Sequence, residues 1–268
     1  YSMKTSIAPL PPSRKLICEK FVECKEDENG VLQSVEFKNT DSFNFGFDVV
    51  DAIAEKYPEK LAMIHLDKNK VERRFTFLDI KKQSARCANY FLSLGIKKGD
   101  KVMLVLKRHY QFWFAMIALH KIGAIAIPAT YQLREHDFIY RFNAAGVSAI
   151  VCTSDGDCAE IVDKVQGECP TLKLKVLVGG QREGWRDFDN EYGLFKSSFR
   201  RTPDTPSGDE PALMFFSSGT TGNPKMVEHK HTYGLGHFLT ARYWHNSAPD
   251  GLHFTISDTG WGKSLWGK

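Results

Sequence analysis

Between Lys101 and Gly179 the chain alternates all-apolar runs with stretches of helical periodicity. This alternation limits the available folds more than any other feature. KVMLVL (101–106), IAIPA (125–129), AIVC (149–152) and KVLVG (175–179) read as short strands, separated by helices over 109–124, about 134–145 and about 158–165. Strands that are apolar on both faces and alternate with helices imply α/β architecture: a mainly parallel sheet with helices on both faces. Ligands of such sheets bind beyond the C-terminal ends of the strands.

Upstream, Val49, Val50, Ile53 and Ala54 predict a helix, and LAMIHL (61–66) and RRFTF (73–77) predict two strands. Thr76 reads as an N-cap with Asp79 at the capping-box position. The helix behind it carries Ile80, Ser84, Cys87, Ala88 and Phe91 on one face and stops at Gly95. Downstream, ALMFF (212–216) predicts a buried strand, 229–244 a helix weakened by Gly234 and Gly236, and HFTIS (253–257) a further strand. The expected division is an irregular segment over 1–47, an α/β subdomain over 48–180, a polar connection over 181–211 and the start of a second α/β part over 212–268.

Composition narrows the function classes. A hydrophobic share of 42% and a charged share of 25% belong to a globular chain, and 36 basic against 32 acidic residues leave a net charge of +4 without a basic block. Nucleic acid is therefore not expected as a partner. The cysteines at 18, 24, 87, 152, 158 and 169 form no Cys-x-x-Cys pair, which suits reduced thiols and a cytoplasmic location. The opening YSMKTSIAPLPPSRK lacks a signal-peptide core, and the longest apolar run, Phe112–Leu119, is too short to span a membrane. The closing DTGWGKSLWGK has no terminating element, so the chain is expected to be the N-terminal part of a larger protein.

The chemistry concentrates in FFSSGTTGNPKMV (215–227). Gly219 and Gly222 let backbone N–H groups approach a ligand closely, while Ser217, Ser218, Thr220 and Thr221 add hydroxyl donors. Successive N–H groups in a turn form an anion nest, and Lys225 brings a mobile positive charge. A polar turn between strand and helix is the bland alternative. A Walker A loop is disfavoured, because Pro224 precedes Lys225 and Met226 takes the place of the metal-binding hydroxyl. The histidines at 229, 231, 237, 245 and 253 do not form a ligand pattern, so no metal site is assigned. The FWF aromatics (112–114) read as helix core, and Lys107-Arg108 as a solvated strand end.

SSGTTGNPKMV closely resembles the phosphate-binding signature of the adenylate-forming (AMP-dependent synthetase/ligase) superfamily. MVEH (226–229), TISDTGW (255–261), FNFGFDVVD (43–51), the stretch 108–130 and the QL…D..YR pattern from Gln132 to Arg141 are similar to its medium-chain acyl-CoA synthetase branch. The resemblance runs from about residue 43 to the end and covers only the first half or so of such an enzyme. It implies the fold of a truncated large N-terminal domain and an AMP-forming ligation of a short- or medium-chain carboxylic acid to coenzyme A. ATP, Mg2+ and coenzyme A are the implied cofactors.

On that resemblance Ser217, Ser218, Gly219, Thr220, Thr221, Gly222, Asn223, Pro224 and Lys225 wrap the ATP β- and γ-phosphates. Trp261 borders the acyl pocket, against a core tryptophan as the bland alternative, and Gln132 contacts coenzyme A, against a solvated loop residue as the bland alternative. The family's adenine segment, acidic ligands and mobile C-terminal domain would lie beyond Lys268. No catalytic residue is therefore expected in this stretch, and residues 1–268 alone are expected to catalyse neither half-reaction. A CoA-independent adenylation domain and a non-catalytic nucleotide-binding module are the alternatives.

Overall fold

The computed structural model describes residues 20–217, 222–245 and 251–265. Strands β1 (Val22–Glu26) and β2 (Leu32–Phe37) pair as an antiparallel hairpin. The segment expected to be irregular is thus partly a two-stranded sheet. Both strands carry charged residues and expose most of their side chains, so no apolar run marks them.

A π-helical turn over Gly46–Asp51 continues into helix α1 (Ala52–Lys56). A second hairpin follows, β3 (Leu61–Leu66) with β4 (Glu72–Thr76). Helix α2 (Phe77–Ser93) opens on the expected capping box: the Thr76 hydroxyl accepts from the Asp79 amide at 3.1 Å, and Asp79 accepts from the Thr76 amide at 2.9 Å. That arrangement satisfies two of the orphan donors of the first turn.

The main body then runs β5 (Lys101–Val105), α3 (Gln111–Ile122), β6 (Ile125–Pro128), α4 (Glu135–Ala145), β7 (Ala149–Thr153), α5 (Cys158–Val165) and β8 (Leu174–Val178). Gly123 and Gly146 end α3 and α4 in the left-handed conformation, with φ of 77° and 65°. The stretch read as a polar connection contributes a short strand β9 (Arg186–Asp187) and one turn of helix α6 (Phe188–Glu191). Strand β10 (Pro211–Ser217), strand β11 (Lys225–Lys230) and helix α7 (Tyr233–Leu239) follow, with a π-helical turn over Thr240–Trp244.

Seven strands form one sheet in the order β11-β10-β6-β5-β7-β8-β9, parallel except for the antiparallel pair at the β11 edge. The side-chain period of two gives each strand a residue set for each face. Val102 and Leu104 pack with Phe91, Phe112 and Leu119 beneath α2 and α3. Met103 and Val105 pack with Phe138, Phe142 and Val162 beneath α4 and α5 on the opposite face. Phe112 and Phe114 are core residues, as expected.

Two expectations fail at the end of the chain. Residues 225–230 form β11, although the sequence predicts the last two as helical, and the helical region begins only at Tyr233. His253–Ser257 forms no strand, and Phe254 and Ile256 are 85% and 77% exposed. A strand needs a partner, and alternation alone does not supply one.

Candidate functional site

The C-terminal ends of β5, β6 and β10 bring the sequence-derived candidates to one edge of the sheet. The loop after β10 returns directly as β11, so Ser217 faces Lys225 across an antiparallel pair. The loop therefore sits in the bend of a hairpin and not between a strand and a helix. Its base is held from α4: the Tyr140 hydroxyl donates to the Pro224 carbonyl at 2.9 Å, and the Arg141 guanidinium lies 5.3 Å from the centroid of the Phe216 ring. Arg141 is itself fixed by Asp137 at 2.8 Å. In the sequence these residues are only part of a resemblance pattern; the structure gives them a supporting role that no local signal announces.

Gly222 has φ of 82°, and a Cβ there would meet nothing within 4 Å. It is glycine for its backbone conformation and not for crowding. Asn223 and Lys225 are exposed, and the Ser217 hydroxyl reaches only the Lys225 carbonyl, at 3.5 Å. Ser218, Gly219, Thr220 and Thr221 lie outside the described residues. The described part of the loop thus presents hydroxyl, amide and ammonium groups to solvent at the place where a parallel sheet receives ligands.

The second group of candidates meets at the ends of β5 and β6. The Thr259 amide and hydroxyl both donate to the Lys107 carbonyl, the amide at 3.4 Å. A Cβ at Gly260 would lie 2.2 Å from the Ala129 carbonyl carbon and from the Thr130 nitrogen. Only glycine permits that approach, so the turn carrying Trp261 rests on the strand end leading to Gln132. Trp261 is 57% exposed among the described residues. Gln132 is exposed too; its amide donates to the Thr130 hydroxyl at 3.3 Å. Asp258, partly buried beneath this turn, has its carboxyl pushed up by burial, against the pull of the Gly260 amide and of Arg108 and Lys107.

Lys107 is more than a solvated strand end. Its φ of 46° lies in the left-handed region, an uncommon state for a side-chain-bearing residue that costs on the order of 1–3 kcal/mol. Its ammonium lies 4.5 Å from the Tyr131 ring centroid and 3.2 Å from Asp155 Oδ2. Nearby, between the ends of β5 and β7, His109 Nε2 and the Thr153 hydroxyl stand 2.8 Å apart, and burial lowers the affinity of His109 for a proton. The connections leave β5 and β7 in opposite directions, so this is the switch point of the sheet. Among the described residues no group of three or more His, Cys, Asp or Glu side chains could hold a metal ion.

A doubly covered, mainly parallel sheet with its candidate residues at the C-terminal edge defines the class of α/β proteins that bind ligands beyond their strand ends. Within that class, residues 50–259 match the AMP-binding enzyme family model, and the chain belongs to that family. It is 37% identical over 232 residues to the mitochondrial acyl-coenzyme A synthetase ACSM5 of Mus musculus, covering 84% of this chain and 39% of the relative. It is 34% identical to the mitochondrial ACSM3 of the same organism, with the same coverage. Acyl-CoA synthetase from Brucella canis superposes with a TM-score of 0.73 at 20% identity, covering 85% of this chain and 41% of that one. Acetoacetyl-CoA synthetase from Streptomyces lividans gives 0.73 at 20% identity over 87% and 37%. These superpositions bear out the α/β fold class. The chain spans about two-fifths of the length of the curated relatives it matches.

Proposed function

We propose that this chain carries the triphosphate-binding part of an AMP-forming acid–coenzyme A ligase acting on a short- or medium-chain carboxylic acid. The observation that carries the reading is the SSGTTGNPK sequence inside the segment that matches the family, with its described ends Ser217 and Lys225 paired at the C-terminal end of β10. The identities with acyl-coenzyme A synthetases support the choice of coenzyme A as acceptor.

A carboxylate resists nucleophiles because its charge repels them and it offers no leaving group. In the proposed reaction a carboxylate oxygen attacks the α-phosphorus of ATP and pyrophosphate departs. The thiol of coenzyme A then attacks the acyl carbon and AMP departs. Catalysis of such a substitution is mostly positioning and charge stabilisation. In this scheme the amides and hydroxyls of 217–222 hold the β- and γ-phosphates while Lys225 balances their charge. Trp261 borders the acyl group, and Gln132 lies along the approach of coenzyme A.

Magnesium accompanies ATP in such chemistry and is held largely by the phosphates and water, so it would not need a cluster of three or more protein ligands, and none is found among the described residues. The substrates are small molecules, with no nucleic acid among them. No helix of the described residues is long and apolar enough to cross a membrane. A cytoplasmic location remains the proposal, supported by free thiols at all five described cysteines, although the similar acyl-coenzyme A synthetases carry mitochondrial names.

The test is a panel of short straight, branched, medium-chain and aromatic acids, given to the complete protein with ATP and coenzyme A. Acid-dependent pyrophosphate release together with thioester formation is the expected result. Pyrophosphate release without thioester would replace coenzyme A by another acceptor. Absence of any acid-dependent release would overturn the proposal.

A further inference from the structure

We infer that Lys107 is a positioning residue that locks the Trp261 turn to the Gln132 loop, so that the acyl-pocket wall and the coenzyme A approach hold one fixed relation. The inference rests on the ligase reading for what the two segments do, but not for the lock itself.

Lys107 closes β5 with φ of 46°, where glycine would be free of strain. A lysine held there must be fixed by its surroundings. Both of its ends are engaged. The carbonyl takes the amide and hydroxyl of Thr259, two residues before Trp261. The ammonium lies over the ring of Tyr131, the residue before Gln132, at 4.5 Å from the centroid. A swing of the Lys107 backbone into the common φ range would move the carbonyl away from Thr259 and redirect the side chain away from Tyr131 together. The direct contact of Gly260 with Ala129–Thr130 closes the triangle between the three segments.

The Thr259 side is itself well fixed. Thr259 is buried, and the Ser264 hydroxyl lies 3.3 Å from its carbonyl and 2.8 Å from that of Trp261. On the other side, the Cys158 thiol donates to the Tyr131 carbonyl at 3.0 Å. Lys107 is thus a second link, beside the Gly260 contact, between two separately anchored pieces. A plain ion pair with Asp155 is the alternative account. Asp155 is 52% exposed, however, and a pair so open to water contributes about 0–1 kcal/mol, so the buried Thr259 hydrogen bonds to the Lys107 carbonyl are the main hold on this backbone.

The test compares the complete protein with Lys107→Met, Lys107→Arg and Thr259→Val. Amide exchange is measured over residues 128–133 and 257–262, and kinetics with coenzyme A and with acids of graded length. Lys107→Met should raise exchange in both segments together, about tenfold. It should also raise the KM for coenzyme A about fivefold and weaken discrimination between acid lengths, with adenylation kcat within about twofold. Thr259→Val should give the same pattern, and Lys107→Arg, which keeps the cation, should restore parent behaviour. Unchanged exchange, or a rise in one segment alone, would overturn the lock. Coupled exchange with an unchanged KM for coenzyme A would overturn the positioning role. If the parent forms no thioester at all, the ligase reading fails, and the exchange result alone decides the lock.

Discussion

The ring nitrogens of His120 and His231 are buried without a hydrogen-bond partner among the described residues, and the two rings meet edge to face with centroids 5.8 Å apart. Burial holds both imidazoles neutral, His120 down to about 3 and His231 down to about 4 from an ordinary 6.5. The His231 ring further disfavours charge on His120, while Lys98 and Arg201 do so at His231. The unfolded chain therefore binds protons that the folded one refuses. Stability contributed by keeping His231 neutral is intact above pH 6.5 and is lost progressively as the pH falls toward about 4. Over that window the loss from this one group is on the order of 3 kcal/mol. Urea denaturation midpoints measured from pH 7.5 downward should fall less steeply for His231→Phe than for the parent; equal slopes would contradict the assignment. Nothing in HKHTYG sets His231 apart from its neighbours, since the environment that matters comes from α3, more than a hundred residues earlier.

At the scale of elements, helices α2 and α3 and the π-helical turn before α1 are joined by one buried ion pair. Lys121 Nζ lies 2.7 Å from Asp51 Oδ1 and 3.0 Å from the Ser84 hydroxyl, with its side chain wholly inaccessible. Burial pushes the Asp51 carboxyl up and the Lys121 ammonium down, while the attraction between them opposes both shifts. Removing one partner leaves an uncompensated buried charge. Asp51→Ala should therefore cost about 3–5 kcal/mol in urea unfolding, and Asp51→Ala with Lys121→Met should recover much of it. A loss below about 1 kcal/mol for the single variant would show that the pair does not hold these helices together.

The same scale explains which elements the sequence revealed. β5 to β8 were legible because two-sided burial leaves a run of apolar residues, and α2 because its cap and its apolar face agree. β11 was not, since Lys225, Glu228 and Lys230 give an edge strand the polar character that keeps it from further pairing. The β1–β2 hairpin escaped for a related reason. It buries little of its own, and its attachment comes through Phe21 and Val22 packing on Leu235, and through Arg242 donating to Glu26 at 2.7 Å. Those contacts join segments more than two hundred residues apart, and no local pattern encodes them.

For the molecule as a whole, the loop motif and the strand order converge on one edge of one sheet. The sequence singled out Ser217–Lys225, Gln132 and Trp261 partly through resemblance, and nothing in their spacing required the Gln132 and Trp261 segments to touch. The fold makes that contact through Gly260 against Ala129–Thr130, a closeness visible only in three dimensions. Lys107, Tyr140 and Arg141 belong to the same edge, but the sequence offers Lys107 only as a solvated strand end and the other two only as part of a resemblance pattern, because their partners are remote in sequence. The central claim is that the 217–225 loop grips the tail of a nucleotide so that an acid can receive AMP. The most direct measurement is a crystal structure of the complete protein with a non-hydrolysable ATP analogue and a carboxylic acid. The account predicts β- and γ-phosphate oxygens within hydrogen-bonding distance of the loop amides and hydroxyls, with the acid beside Trp261. A triphosphate bound elsewhere, with the loop empty, would contradict it.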